Sequence, residues 1–222
     1  MPTLVPCYRK LLPLPDSYYG NGVSLEIPLD RRRRRTHTAV LDAAERLFAG
    51  HGYRGTTIEA LADEADVAVS SIYSNFAGGK PDVYAALAWR IAQRHAEQMR
   101  RGGSGVLAHF DNYVAFHHDN PLAVRMLTLY DVASEDSELV LKARAQIEAL
   151  LGSVVQRVTA AVAESDCDTD PRALVLYVWA SVNGMFSLRQ RGAVDDAMLR
   201  QMLAIARREL GLHFRGGDDE RG

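Results

Sequence analysis

Residues 41–80 read LDAAERLFAGHGYRGTTIEALADEADVAVSSIYSNFAGGK, and the fold turns on how this stretch divides. From Arg35 onward the period is helical. Ala39, Val40, Ala43, Ala44, Leu47 and Phe48 recur at three- and four-residue offsets, making one apolar face that ends at Gly50 and Gly52. Thr56-Thr57-Ile58-Glu59 supplies a capping box, with the Thr56 hydroxyl accepting from the Glu59 amide while the Glu59 side chain reaches back. Ile58, Leu61, Ala62 and Ala65 form the buried face of a short second helix. After a break at Asp66-Val67-Ala68, a third short helix carries Val69, Ile72 and Tyr73 and closes on Phe76. Two short helices joined by a tight turn and braced by a longer one predict a helix-turn-helix. The second helix of such a unit offers its N-terminal residues to base edges in the major groove. The exposed positions there are Ala68, Val69, Ser70, Ser71, Ser74 and Asn75, all small or polar. A helical hairpin buried inside an ordinary all-α domain is the competing reading.

Around this stretch, composition sets limits. The chain has 222 residues, 26 Lys and Arg against 28 Asp and Glu, and 47% apolar residues, values close to those of globular domains. The longest apolar run, near residues 173–182, is about half of the ~20 residues a membrane span needs, so a soluble protein with no membrane partner is expected. Cys7 and Cys167 are far apart and belong to no metal-binding spacing, which fits a reducing cytoplasm without disulfides. A net charge of -2 is unpromising for phosphate binding, but it conceals an unbroken run of five arginines at residues 31–35. That run reads either as a solvated, flexible arm or as a nucleic-acid contact. Residues 1–30 hold five prolines and no sustained period, so an irregular N-terminal extension is expected, without a signal-peptide pattern.

The rest of the chain reads as helices, with no credible strand run. Pro81 sits at a first helical position, and a periodic segment follows from residue 82 to about 101, broken by Gly102, Gly103 and Gly105. Residues 106–118 form the next helix. Asn120-Pro121 and Asp170-Pro171 each pair a capping residue with Pro at the first helical position. They predict helices over 122 to about 134 and 172 to about 190. Between them 139–163 is long and periodic, and Asp195 caps a last helix to about 210. Residues 174–180 are apolar in succession, so that helix must be covered on more than one side.

The quoted stretch resembles the DNA-binding domain of TetR-family transcriptional repressors. Phe48, Gly52, Tyr53, Thr56, Thr57, Leu61, Ala62, Ala65, Val67, Tyr73, Phe76 and Lys80 match the family's run in type and order. Asp66 replaces the usual turn Gly, Ala68 the usual capping Ser, and Ala77-Gly78-Gly79 sets Lys80 one residue further along. The resemblance implies that Thr57, Tyr73 and Lys80 contact phosphates, with Val69, Ser70, Ser71 and Asn75 nearest the bases. Arg33, Arg34 and Arg35 would belong to an arm reaching a neighbouring minor groove. It also implies that the last two long helices pair with their copies in a homodimer, and that the larger domain encloses an effector pocket.

The side chains that would line that pocket are Trp89, Phe110, Tyr113, Phe116, His117, Met126, Tyr130, Trp179, Asn183 and Phe186, with His109, Tyr177 and Met185 as further candidates. Their apolar bias suggests a small hydrophobic effector whose polar end is fixed by His117, Tyr113 or Asn183. The same side chains at helical spacing also suit a plain core. Asp166, Asp168 and Asp170 mimic the start of a calcium loop, but Pro171 and Tyr177 occupy the positions of its Gly and Glu, so no metal is expected. No phosphate loop, nucleophile elbow or Ser-His-Asp arrangement is present, so neither catalytic residues nor a cofactor is expected. The organisation that follows is all-α: residues 1–30 an irregular extension, 31–80 a helix-turn-helix DNA-binding domain, 81–214 a ligand-binding and dimerisation domain, 215–222 a flexible tail. The expected function is a ligand-responsive repressor that binds a palindromic double-stranded DNA operator as a homodimer. The alternative is an all-α small-molecule or protein-binding module whose DNA role is weakened or lost.

Overall fold

A computed structural model describes residues 25, 28–101, 105–165, 169–212 and 214. The expected irregular extension lies almost wholly outside the described residues, as do the tail at 215–222 and both cysteines. The architecture is all-helical. Among the described residues there are nine α-helices: α1 (Arg31–Gly55), α2 (Ile58–Glu64), α3 (Val69–Asn75), α4 (Lys80–Arg101), α5 (Val106–Asp119), α6 (Ala123–Leu127), α7 (Glu138–Ala163), α8 (Pro171–Gln190) and α9 (Asp196–Leu212).

The first correction concerns the arginine run. It is not an arm, because Asp30 caps α1 four residues earlier than expected: its Oδ1 accepts from the Arg33 amide at 2.8 Å, and residues 31–35 form the first turns of the helix. Near its other end α1 is interrupted at Gly52, whose φ of 70° and ψ of 170° lie in a region open essentially to glycine. The second correction moves the α2 cap by one residue. Thr57 Oγ1 accepts from the Ala60 amide at 3.1 Å, while the buried Thr56 hydroxyl donates to the Gly52 carbonyl at 2.9 Å. The Thr56–Glu59 capping box therefore does not form. Between α2 and α3 the chain turns through Asp66 at φ 53°, and Ala68 caps α3 without any side-chain hydrogen bond.

α1, α2 and α3 close over Val40, Leu41, Ala44, Phe48, Leu61, Ala62 and Ile72. This cluster runs unbroken into α4, whose residues 82–88 are all buried. α4 is thus the shared spine of the molecule: it packs on α1, from Tyr84 to Arg94, and on α7. A second cluster joins α5, α7, α8 and α9 through Phe110, Val162, Leu174, Val182, Phe186, Leu199 and Leu210. The caps expected at the late helices are present. Asp170 Oδ1 accepts from the Ala173 amide at 2.7 Å and Asp195 Oδ1 from the Met198 amide at 2.8 Å.

The helix expected over 122–134 shrinks to the five residues of α6. Asn120 does not cap it; its Nδ2 donates back to the Phe116 carbonyl at 2.9 Å, finishing α5 instead. Leu129 then takes φ 48°, a conformation that costs a branched side chain energy and stops the helix. Its buried side chain offsets the strain.

Candidate functional site

The α2–turn–α3 unit leaves one edge of α3 in solvent. Ala68, Ser70, Tyr73 and Ser74 are exposed and Val69, Ser71 and Asn75 half-buried, while Ile72 anchors the helix in the core. Much of this edge is braced by the protein itself. The Ser74 hydroxyl donates to the Ser70 carbonyl at 2.8 Å, and Asn75 Nδ2 to the Ser71 carbonyl at 2.9 Å. Asn75 is therefore folded back on its own helix, with Oδ1 buried, and does not reach outward for a base. Val69, Ser70, Ser71 and Tyr73 remain the outward set. The Tyr73 ring lies over Gly79, where a Cβ would sit 3.1 Å from its Cε1 at a φ of 67°, so a glycine is needed beneath it.

Arg33, Arg34 and Arg35 are exposed beside this edge, and one Nη of Arg33 donates to the Ser74 carbonyl at 3.0 Å, tying the arginine-rich turn to the end of α3. Three of the six acidic residues of the head are held in ion pairs elsewhere: Asp42 and Glu45 bind Arg90, Glu45 also binds Arg94, and Glu64 binds Arg46. The arginine turn is left as the concentrated positive charge of this face. Lys80 departs from the phosphate role expected for it. Its Nζ donates to the carbonyls of Tyr53 and Thr56 at 3.0 and 2.9 Å and lies 4.3 Å from the centre of the Tyr53 ring. It adds a charged donor to carbonyls at the end of α1, one of which, that of Tyr53, also accepts from the Thr56 amide at 3.4 Å, as lysines do at helix C-termini. The extra glycine before it gives the reach. Thr57, by contrast, uses only acceptor capacity in capping α2, so its exposed hydroxyl keeps a proton to donate.

The second site is a half-open cavity lined by α4, α5, α7 and α8, with Leu210 of α9. Its volume is about 70 Å³. A single water needs about 10–15 Å³ on the same measure, so there is room for several waters or a small organic molecule. Of the expected residues, Phe110, Tyr113 and Trp179 line it, together with His109. Phe116 and Met126 are core, Trp89 packs half-buried against that core, and Phe186 lies behind the wall, its ring centre 5.5 Å from that of His117. Asn183 acts through Tyr113, accepting its hydroxyl at 2.7 Å. Tyr130 is excluded: it is 73% exposed and stacked under Arg125, because the helix meant to carry it inward stops at Leu129. The residues not anticipated are His95 and Met99 of α4 and the valines of α7, Val154, Val155, Val158 and Val162.

No lining residue carries a carboxylate, a guanidinium or an ammonium group. His95 and His117 are buried with ring centres 6.0 Å apart, packed against Tyr113 and Phe116. Burial holds His95 down to about 4 and His117 to about 3, the latter helped by His95, so both imidazoles are neutral near pH 7. Among the described residues no group of three or more His, Cys, Asp or Glu converges, and no helix is long and apolar enough to cross a membrane.

Residues 40–87 match the sequence model of bacterial regulatory proteins of the tetR family. No curated protein matches the chain. Among solved structures, a protein of unknown function from Rhodococcus sp. RHA1 aligns at 22% identity and TM-score 0.62, over 82% of this chain and 96% of its own. A TetR-family transcriptional regulator from Cytophaga hutchinsonii aligns at 14% and 0.64, over 86% and 100%. The fatty acid degradation regulator FadR from Bacillus halodurans aligns at 20% and 0.58, over 81% and 97%. These likenesses concern the fold. Residues 40–87 thus carry a helix-turn-helix domain of the tetR family type, and the chain as a whole shares its fold with these regulators.

Proposed function

We propose that the protein is a non-catalytic, ligand-responsive transcriptional repressor that binds a palindromic DNA operator as a homodimer and leaves it when a small hydrophobic effector fills the cavity. Residues 31–80 form the DNA-binding domain in this reading and 81–214 the effector and dimerisation domain. The observation that carries it is the outward edge of α3, with Val69, Ser70, Ser71 and Tyr73 presented beside the exposed Arg33, Arg34 and Arg35. Arginines and Thr57 would hold phosphates, which positions the head, while α3 reads base edges.

Dimerisation is supported by an uncovered stripe. Ala173, Tyr177, Ala180 and Gly184 on α8 are exposed at offsets of three and four, and Met198 and Ile205 on α9 are exposed as well. Tyr177 is 70% exposed in an otherwise apolar run, which a twofold copy would cover. The α4 spine links the two sites. It lines the cavity with His95 and Met99 and grips α1 through Arg90, which donates to Asp42 Oδ1, the Leu41 carbonyl and Glu45 Oε2 at 2.6, 3.0 and 2.7 Å. An effector that displaces α4 would carry α1 with it and change the separation of the two heads. DNA and effector must then weaken each other reciprocally.

Selection from a random duplex pool tests the reading. Enrichment of an inverted repeat with half-sites about one helical turn apart is expected. A pool that stays random would favour the second reading, an all-α binding module with a lost DNA role, to which the uncapped Ala68 and the inward Lys80 lend weight.

A further inference from the structure

Buried polar groups in native proteins are nearly always paired, so an unpaired cluster asks for a partner. Among the described residues, both ring nitrogens of His95 and both of His117 are buried without a hydrogen-bond partner. Only His95 of the two faces the cavity. His109 shares that wall with a bare Nδ1, but it is half-buried, whereas His95 is 1% exposed and bare at both nitrogens. Of the other polar groups of the wall, the Tyr113 hydroxyl is already donated to Asn183 and the Trp179 indole N–H can only donate. The rest of the lining is Met, Val, Leu, Phe and Trp.

We propose that the cavity takes an uncharged small molecule with an apolar ring or chain and a hydroxyl head, a phenol or alcohol, and that His95 is the residue that receives this head. This rests on the reading of the cavity as the effector site. A neutral imidazole has one N–H donor and one bare nitrogen acceptor, and a hydroxyl is the smallest group that can serve either. A carboxylate would enter a wall without any fixed positive charge and lose its hydration uncompensated. A pure hydrocarbon would fill the apolar part and leave His95 as bare as before. Phe116 and His117 pack behind the His95 ring at 4.8 and 6.0 Å, holding it in place against the cavity.

The test is isothermal titration calorimetry of the DNA-free protein at pH 7.5 with three probes of one shape: 4-ethylphenol, ethylbenzene and 4-ethylbenzoate. 4-Ethylphenol should bind about 10-fold more tightly than ethylbenzene, the effect of one buried hydrogen bond, and 4-ethylbenzoate should bind weakest. In His95→Leu the phenol preference should vanish while ethylbenzene binding persists. His95→Gln, which keeps a donor and an acceptor, should restore part of it, and His118→Leu, at an exposed histidine outside the cavity, should leave it unchanged. Equal binding of phenol and hydrocarbon by the wild-type protein would overturn the proposal whether or not the variants fold. So would tightest binding of the benzoate, an unchanged preference in His95→Leu, or no heat from any probe at millimolar concentration. DNA plays no part in this titration. A protein that binds 4-ethylphenol but selects no duplex would keep this inference and lose the regulator reading; the reverse pattern would do the opposite.

Discussion

The head and the body of this protein treat their polar groups in opposite ways. In the head, residues 31–80, several polar side chains are spent on the fold: Thr57 caps α2, Lys80 closes the end of α1, and Ser74 and Asn75 brace α3, while Asp30, just before the head, caps α1. In the body, His95 and His117 are buried with nothing to bind. In the proposed reading the head would meet DNA with a surface already braced by its own side chains. The body carries an internal cost that a ligand can remove, so binding there is where a change of state can be driven.

The contrast is broken most sharply by removing the charge of the head alone. The triple variant with Arg33, Arg34 and Arg35 all changed to Ala should lower operator affinity by roughly 10²–10³-fold at low salt and flatten the slope of log affinity against log salt by about 2–3. Titration with 4-ethylphenol should be unaffected. If the salt slope is unchanged, these arginines do not lie on phosphates.

Acid should act on the body first. Folded His95 and His117 take up protons only near pH 4 and 3, whereas the unfolded chain takes them up near 6.5. The unfolded state therefore binds more protons below pH 6.5, and stability should fall as the pH drops from 6.5 towards 4, with no contribution from this pair above 6.5. For His95 alone the loss is on the order of 3 kcal/mol. Urea unfolding across this range should show the slope in the wild type and a shallower one in His95→Leu; equal slopes would contradict the neutral buried pair.

Lys80→Met sharpens the distinction inside the head. Two carbonyls lose a charge-assisted hydrogen bond, so thermal unfolding should register a loss of roughly 1–3 kcal/mol, while the salt slope of DNA binding stays the same. A slope lowered by about one would return Lys80 to the phosphates. Ala68→Ser should act in the other direction. A serine hydroxyl can accept from the first amides of α3, and a gain of about 0.5–2 kcal/mol is expected from denaturant titration. On the dimer face, Tyr177→Glu should yield monomers by analytical ultracentrifugation, since it sets a charge into an apolar seam.

The head was largely legible in the sequence because its signals are local. Threonines before a helix and Asp66 at a tight turn mark α2 and α3 within a residue or two, and a period that stops at glycines marks the body of α1. What escaped depended on one hydrogen bond each. The arginine run has no apolar period, so only the Asp30 cap reveals it as helix, and Thr57 wins the cap of α2 because Thr56 is drawn inward to Gly52. The cavity was legible only in its aromatics, Phe110, Tyr113 and Trp179. The valines of α7 carry the same helical period whether they face a cavity or a filled core. His95 sits amid an apolar periodic helix, and nothing in the sequence says that its nitrogens are bare. Tyr130 was misplaced because no Gly or Pro announces the left-handed Leu129.

The most direct test of the account is fluorescence anisotropy of a labelled duplex carrying the selected inverted repeat, titrated with protein over a salt series in the presence of scrambled competitor. The account predicts saturation at two subunits per duplex, binding that survives the competitor, and affinity that falls steeply with salt. Weak binding that the competitor abolishes would contradict it and leave the protein a helical binding module without an operator.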